Sequence, residues 1–449
     1  ADLLIRTSQL EQASEMVDKL LHNDAQSVAG LVAKSRIEYY QKSYSEARSA
    51  IDEALKYDKT SVAARILAAQ IYLADGRNES AIEHLVSAKT LDKTNTLSRE
   101  LLMKVYREEG DNKAALSEVN ALLGLNRLSA NYHIQKSAIL YELQDLKGAK
   151  TQLNMVYGLW ANDAQKLLSL AALQDNVEDS QGAERSYRAA IKLAPESPLP
   201  YLELTSFLIN KKQLDAAAQT IETVYLRFGT SSNVTMLRGD LAVAKSDKQQ
   251  GFKLYLEALE SDPDFGAPLF KAFELARQNT QRPAMIAYLQ NIRRANPNDT
   301  LRQHLLADLY YLNNNYTQAA TLYQALLKNP TLARRAFVLN NLANIYAHTD
   351  SDKAMAFVEE ALILDPRSAA LLDTKGWILA LNQDYQAGLG VLRQAYTLDA
   401  SDPSVQFHIA YTLAQLQRGS EAKALLNKHG TLAKQFREKP NAEALAASL

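Results

Sequence analysis

At 449 residues, with 50 Lys and Arg balancing 51 Asp and Glu, the chain is too long for one rounded core and too near neutrality for a nucleic-acid or anionic-membrane surface. The absence of Cys excludes disulfides, thiolate metal sites and cysteine nucleophiles, and 16 Gly with 11 Pro suit helices joined by short turns better than a sheet. No stretch approaches the roughly 18 consecutive apolar residues of a membrane-spanning helix.

Along the chain a small residue recurs every 34 positions, at Ala13, Ala47, Ala81, Ala115, Ala149, Ala183 and Ala217. The series continues through Gly251, Met285 and Ala319, gains one residue to Ala354, and resumes at Gly388 and Ala422. Four positions after each comes a large apolar side chain such as Ile51, Leu85, Tyr187 or Val358, and seven after comes a second small residue at Ala54, Ala88, Ala190, Ala258, Ala361 and Ala395. Residues at i, i+4 and i+7 share one helical face, and small ones let a neighbouring helix approach closely. A partner helix is expected upstream of each, where Ala68-Ala69 and Leu306-Ala307 precede Tyr72 and Tyr310. The pattern predicts thirteen two-helix units, about twenty-six helices, each burying its apolar face only against its neighbours.

This unit resembles the tetratricopeptide repeat (TPR), whose small residues stand at unit positions 8, 20 and 27. Position 8 reads Ala69, Ser137, Ala171, Gly239, Ala307, Gly376 and Ala410; Phe273 and Leu342 depart, and Ala343 restores the latter if one residue is deleted nearby. The resemblance implies an all-α helix-turn-helix solenoid, a right-handed superhelix of about 13 repeats. Its expected parts are an N-terminal arm over 1–265 (repeats 1 to 8), an irregular ninth repeat over 266–299, a C-terminal arm over 300–436 (repeats 10 to 13) and a capping tail over 437–449, interrupted by Pro440. Ala1 falls at unit position 8, so the first repeat is incomplete; either further repeats lie upstream or the start is a shortened cap. In the ninth repeat Phe273 and Met285 take small positions, which reads either as a bend between two arms or as local repacking.

No phosphate-cradling, nucleophile-elbow or zinc-helix motif is present, and His304, His348 and His408 come from three different units. No catalytic residue, cofactor or metal site is therefore expected. By resemblance, the inner surface is lined by first-helix positions 2, 5, 6, 9, 12 and 13. These read as apolar and aromatic around Tyr39 and Tyr40, and as mixed charge at Glu100, Lys104, Arg107 and Glu108. Farther on they become polar and aromatic at Asn340, Asn341, Asn344, Asp373, Trp377, Phe407, His408 and Tyr411, the candidate partner-binding set. Asn offers donor and acceptor together, and Trp and Tyr are flat platforms with polar edges, which suits an extended peptide or a glycan. Equally, Trp377 and Phe407 fit as filling between stacked helices, with the Asn residues merely hydrated. Neither the carboxylate clamp of chaperone-tail binders nor the asparagine ladder of glycosyltransferase solenoids is supplied by this sequence; only Asn341 stands at the ladder position.

The runs Val338–Tyr346, Ala361–Pro366, Leu371–Leu379 and Phe407–Ala410 resemble the C-terminal repeats of bacterial PEP-CTERM-system TPR lipoproteins. That resemblance implies a non-catalytic periplasmic or envelope-associated scaffold for exopolysaccharide production or surface-protein sorting, with protein partners and a membrane tie only through an N-terminal lipid anchor outside this sequence. A cytosolic peptide-binding adaptor and the regulatory segment of a larger enzyme stand as alternatives.

Overall fold

The computed structural model describes residues 9–278 and 280–449 and contains, among them, 26 α-helices, one 3₁₀ turn and no strand. Ala1, on which the incomplete first repeat was inferred, lies outside the described residues. The chain divides into two compact units, 1–237 and 238–449. The first begins with α1 (Leu10–Asn23) and continues as helix pairs: α2 (Val28–Tyr40) with α3 (Tyr44–Tyr57), α4 (Val62–Ala74) with α5 (Asn78–Leu91), α6 (Thr96–Glu108) with α7 (Asn112–Leu125), α8 (Ala130–Glu142) with α9 (Leu146–Trp160), α10 (Ala164–Asn176) with α11 (Ser180–Leu193), and α12 (Leu199–Asn210) with α13 (Leu214–Phe228). The division falls inside α14 (Ser232–Ala244), the partner of α15 (Lys248–Ser261). The second unit continues with α16 (Gly266–Arg277) and α17 (Arg282–Ala295), α18 (Thr300–Leu312) and α19 (Tyr316–Leu326), α20 (Arg335–Tyr346) and α21 (Ser351–Leu364), α22 (Ala369–Leu381) and α23 (Tyr385–Leu398), and α24 (Pro403–Gln415) and α25 (Gly419–Lys428). A 3₁₀ turn (Thr431–Ala433) and α26 (Lys439–Ser448) follow. Each unit is thus an all-α stack of TPR helix pairs, the solenoid architecture expected from the 34-residue register.

Local chemistry starts and stops these helices at the repeat period. First helices open behind Ser, Asn or Asp caps: Ser27, Ser61, Asn95, Ser129, Asp163 and Asp299 each accept from the backbone N–H three residues on. Several second helices close on Asp or Asn, whose carboxylate or amide oxygen captures an amide two residues later, as Asp58 does from Thr60 and Asp92 from Thr94, each at 2.9 Å. Between the two helices of most pairs, the turn residue at unit position 15 is left-handed. Gly76 and Gly110 take this conformation without strain, whereas Lys42, Gln144, Glu178, Lys212, Ser246, Asn314, Gln383 and Gln417 adopt it at φ 60–69° against their preference.

Positions 8 and 20, twelve residues apart, set the distance between paired helices. Ser35 Oγ donates to the carbonyl of Ala47 at 2.8 Å, and Ser137 Oγ to that of Ala149 at 2.9 Å. Where both residues are Gly, the backbones themselves meet: a Cβ on Gly388 would lie 2.9 Å from the Gly376 carbonyl oxygen. Around these contacts the large side chains four positions on, such as Ile51, Leu85 and Leu392, are fully buried, each stabilising by about 1.5–3 kcal/mol.

Irregularities are absorbed locally. The extra residue before the eleventh repeat is taken up between Leu326 and Arg335, where Arg334 is left-handed at φ 61°, so that Leu342 and Ala343 are both fully buried. The ninth repeat falls wholly within the second unit, and its bulky Phe273 and Met285 are buried, Phe273 between the fully buried Ala272 and Ala276. Pro440 follows the non-helical residues 434–438. It stands in the first turn of α26, where its missing N–H breaks no helical hydrogen bond, and α26 lays Leu445, Ala446 and Leu449 on the apolar cluster around Leu413 and Leu426.

Two glycines of α23 separate packing from propensity. Gly388→Ala is expected to destabilise the second unit by about 1–3 kcal/mol despite its better helix propensity, because the added methyl meets backbone. Gly390→Ala, with nothing within 4 Å, is expected to stabilise by about 0.5–1 kcal/mol. Urea unfolding of the two variants measures both; equal effects would dissociate the register from the packing.

Candidate functional site

In the second unit, successive first helices α16, α18 and α20 carry side chains to one cavity of about 420 Å³. Phe270, Phe273 and Arg277 come from α16, Leu305, Asp308 and Tyr311 from α18, and Phe337 and Asn341 from α20, with Tyr323 of α19 beneath. Its floor is a polar chain. Tyr323 Oη donates to Asp308 Oδ1 at 2.6 Å and accepts from Asn341 Nδ2 at 2.9 Å. Burial pushes the Asp308 carboxyl up, against the Tyr323 hydrogen bond and the nearby His304, Arg334 and Arg277, and the Tyr323 hydroxyl is raised well above its ordinary range by burial and by Asp308. His304 lies 3.6 Å from Asp308, and burial pushes its imidazole down. The wall therefore combines exposed aromatic faces at Phe270 and Phe337 with a buried carboxyl and two guanidinium groups.

The same arrangement occurs two helix pairs earlier in this unit, where Tyr255 Oη and Lys271 Nζ both donate to Asp240 Oδ1 at 2.7 Å. There the cation of the next repeat neutralises the carboxylate. At Asp308 the corresponding place is taken by the neutral Asn341.

The candidate residues from the sequence fall into three groups. Asn341 is buried and belongs to the cavity floor. Asn344 Nδ2 donates to the Asn340 carbonyl at 3.0 Å and to Thr374 Oγ1 at 3.3 Å, tying α20 to α22. Asp373, Trp377, Phe407, His408 and Tyr411 form one cluster between α22 and α24. His408 Nδ1 lies 2.9 Å and 3.0 Å from the two Asp373 oxygens, and the Trp377 indole stacks on its ring at 4.1 Å and 14°. Tyr411 meets Trp377 edge-on at 5.1 Å, and Phe407 packs at 5.9 Å. Within this cluster Asp373, Phe407 and His408 are buried, whereas Trp377 and Tyr411 remain partly exposed. His348 is exposed beyond the end of α20.

Burial acts to lower the His408 pKa, but Asp373, with Glu438 and Asp402 beyond it, outweighs this and leaves it raised. A ring held as imidazolium between a carboxylate and an indole face gains from both contacts.

Sequence reasoning missed the segment that crosses this cluster. Between the 3₁₀ turn and α26, Lys434 Nζ donates to the Ser401 carbonyl at 2.7 Å, and the Phe436 ring lies 6.4 Å from that of Phe407. The Arg437 guanidinium sits over the rings of Tyr311 and Tyr316, 4.8 Å and 5.5 Å from their centroids, and donates to Asn314 Oδ1 at 3.2 Å and to the Tyr316 hydroxyl. No repeat position signals a contact across 123 residues.

In the first unit the mixed charges of α6 line a separate cavity of about 720 Å³, where they satisfy one another. Arg107 pairs with Glu142 at 2.5 Å, and Tyr132 Oη donates to Glu100 at 2.5 Å, the tyrosine pKa being pushed up to about 12 by burial and by that carboxylate. Among the described residues no group of three metal-ligating side chains converges.

Two tetratricopeptide-repeat family profiles match the chain, over residues 39–103 and 304–369. No curated protein matches it. Among solved structures, that of Naa15/Naa10 bound to HypK-THB is similar at 17% identity and a TM-score of 0.45, over 94% of this chain and 66% of that one, just under two thirds. Yeast Tom70 is similar at 18% identity and a TM-score of 0.39, over 94% and 95% of the two chains. The Cut9–Hcn1 hetero-tetramer of the APC/C is similar at 14% identity and a TM-score of 0.39, over 96% and 98%.

The His408–Asp373 pair has a testable pH signature. Because the folded pKa is raised, its stabilisation is fully present below the unfolded histidine value of about 6.5 and is lost as pH rises through the folded value. Proton NMR titration should place His408 above about 6.5 in the wild-type chain, and Asp373→Asn should bring it down. An unshifted His408 in that variant would remove the pair as the cause.

Proposed function

Because the chain is a tetratricopeptide-repeat protein, we propose that it is a non-catalytic interaction scaffold that holds an extended polypeptide segment of a partner protein along the first-helix face of its second unit. The cavity shared by α16, α18 and α20 carries the reading. It offers exposed aromatic faces for apolar side chains and, beside them, carboxyl, amide and guanidinium groups that pair with a peptide backbone or a charged side chain. Three successive first helices contribute side chains to it, which suits a ligand extended along the stack, as a polypeptide segment is.

We place this scaffold in a bacterial cell-envelope system for exopolysaccharide production or surface-protein sorting. The support is the resemblance of the Val338–Tyr346, Leu371–Leu379 and Phe407–Ala410 runs to the repeats of PEP-CTERM-system lipoproteins. Among the described residues no helix is long and apolar enough to cross a membrane, so the membrane tie in this reading is a lipid anchor carried outside this sequence. Fractionation of native cells with an antibody to the chain tests the location: recovery with the envelope supports it, and recovery with the cytosol would put a cytosolic adaptor in its place.

For the binding role, peptides selected from a random library against the whole chain should lose roughly fivefold or more in affinity on Phe270→Ala or Phe337→Ala, as expected when an aromatic contact worth about 1 kcal/mol is removed. Both residues are substantially exposed, so helix content should hold. Tyr40→Ala, an exposed aromatic of the first unit, is the control. Peptides that respond to Tyr40 and ignore Phe270 and Phe337 would move the site to the other unit, and selection of oligosaccharides in place of peptides would replace the ligand class.

A further inference from the structure

We propose that the strap Lys434–Glu438 is an internal occupant of the groove, and that the partner segment which displaces it carries an arginine next to an aromatic residue. This rests on the peptide-groove reading above and adds to it the chemistry of the ligand and a means of control. In stacked helix pairs, contacts run between neighbouring repeats. The strap breaks that rule: Phe436 lies on Phe407 in the thirteenth repeat, while the adjacent Arg437 reaches the turn between α18 and α19 in the tenth. It is non-helical over this stretch, and the Lys434 backbone is extended (φ −82°, ψ 155°). The charge of Glu438 acts on both Tyr311 and His408, which places the strap between the cavity and the Trp377 cluster.

The site that receives Arg437 is built for a cation. Two tyrosine faces, the Asn314 amide oxygen and the Tyr316 hydroxyl surround the guanidinium, and all present electron-rich surface to it. Tyr311 also lines the 420 Å³ cavity, so a segment seated here continues directly over Phe270, Phe337 and Asp308. At Asp308 the place of the neighbouring repeat's lysine is taken by Asn341, and His304, Arg334 and Arg277 lie near the carboxyl. The strap is also held by weak means. Arg437 is exposed, and cation–π contacts at exposed sites are the weaker kind, so a longer segment with more contacts outcompetes it. Since α26 is anchored separately through Leu445 and Leu449, the strap can leave the groove without unpacking the end of the array.

The probe is a fluorescent synthetic peptide with the sequence of residues 432–441 of this chain, titrated into the full-length protein and followed by anisotropy. An occupied groove binds in proportion to the fraction that is free, so Arg437→Ala combined with Phe436→Ala should raise peptide affinity about three- to tenfold over wild type. Arg437→Lys, which retains the cation, should stay near wild type. Adding Tyr311→Ala and Tyr316→Ala to the released variant should abolish the gain, with circular dichroism confirming unchanged helix content throughout. Equal affinity of wild type and the Arg437→Ala, Phe436→Ala variant overturns the strap as an occupant, and failure of the peptide to bind any variant overturns the arginine–aromatic chemistry. In either case the groove itself is judged separately, by whether library-selected peptides respond to Phe270→Ala.

Discussion

The close approach of two helices at unit positions 8 and 20 is the contact from which the rest of this protein follows. A serine hydroxyl on a facing carbonyl, as at Ser35 and Ser137, or two glycine backbones in contact, as at Gly376 and Gly388, brings each pair so near that the residues four and seven positions on must interlock. Hydrophobic burial is non-directional and would accept many helix arrangements. The small residues remove most of them, because any other crossing would leave a void at these positions or drive a carbonyl into a side chain. Capping by Ser, Asn or Asp and the left-handed turn at position 15 then repeat at the same spacing, and each pair becomes a copy of the last.

With the interior settled in this way, the outward positions of the first helices are released from packing and diverge between the two units. In the first, charges close on each other, as in Arg107–Glu142. In the second, carboxylates at position 9 sink beneath aromatic rings and are satisfied by tyrosine hydroxyls from the paired helix. Burying a carboxylate is costly unless its partners are in place, so such networks hold one relative placement of neighbouring repeats more than they add stability. Lys271 donates directly to Asp240, whereas Asn341 donates to the Tyr323 hydroxyl that in turn donates to Asp308, so both the charge of the wall and its connection differ. A repeat array can in this way vary its recognition chemistry one side chain at a time.

The end of the array obeys a different logic. Neighbour-only contacts leave a terminal repeat with one face uncovered, and α26 covers it with Leu445, Ala446 and Leu449. The segment leading into that helix has no packing duty of its own and instead lies across polar and aromatic groups of earlier repeats.

From the amino-acid sequence alone the fold was readable almost throughout, since helix pairing is local: the partners at positions 8 and 20 are twelve residues apart, and their periodicity reports the contact directly. The start of each first helix followed from the same register, and even the extra residue before the eleventh repeat showed as a one-residue shift. The surroundings of the candidate residues were not readable in this way. That Trp377 stacks on His408, that Asp373 engages that ring, and that Asn341 turns to Tyr323 depend on the offset between successive repeats, which no spacing encodes. Arg437 on Tyr311 lay farthest from reach, because a contact between a non-repeating segment and a repeat three units earlier has no period, and only the folded chain brings the two together.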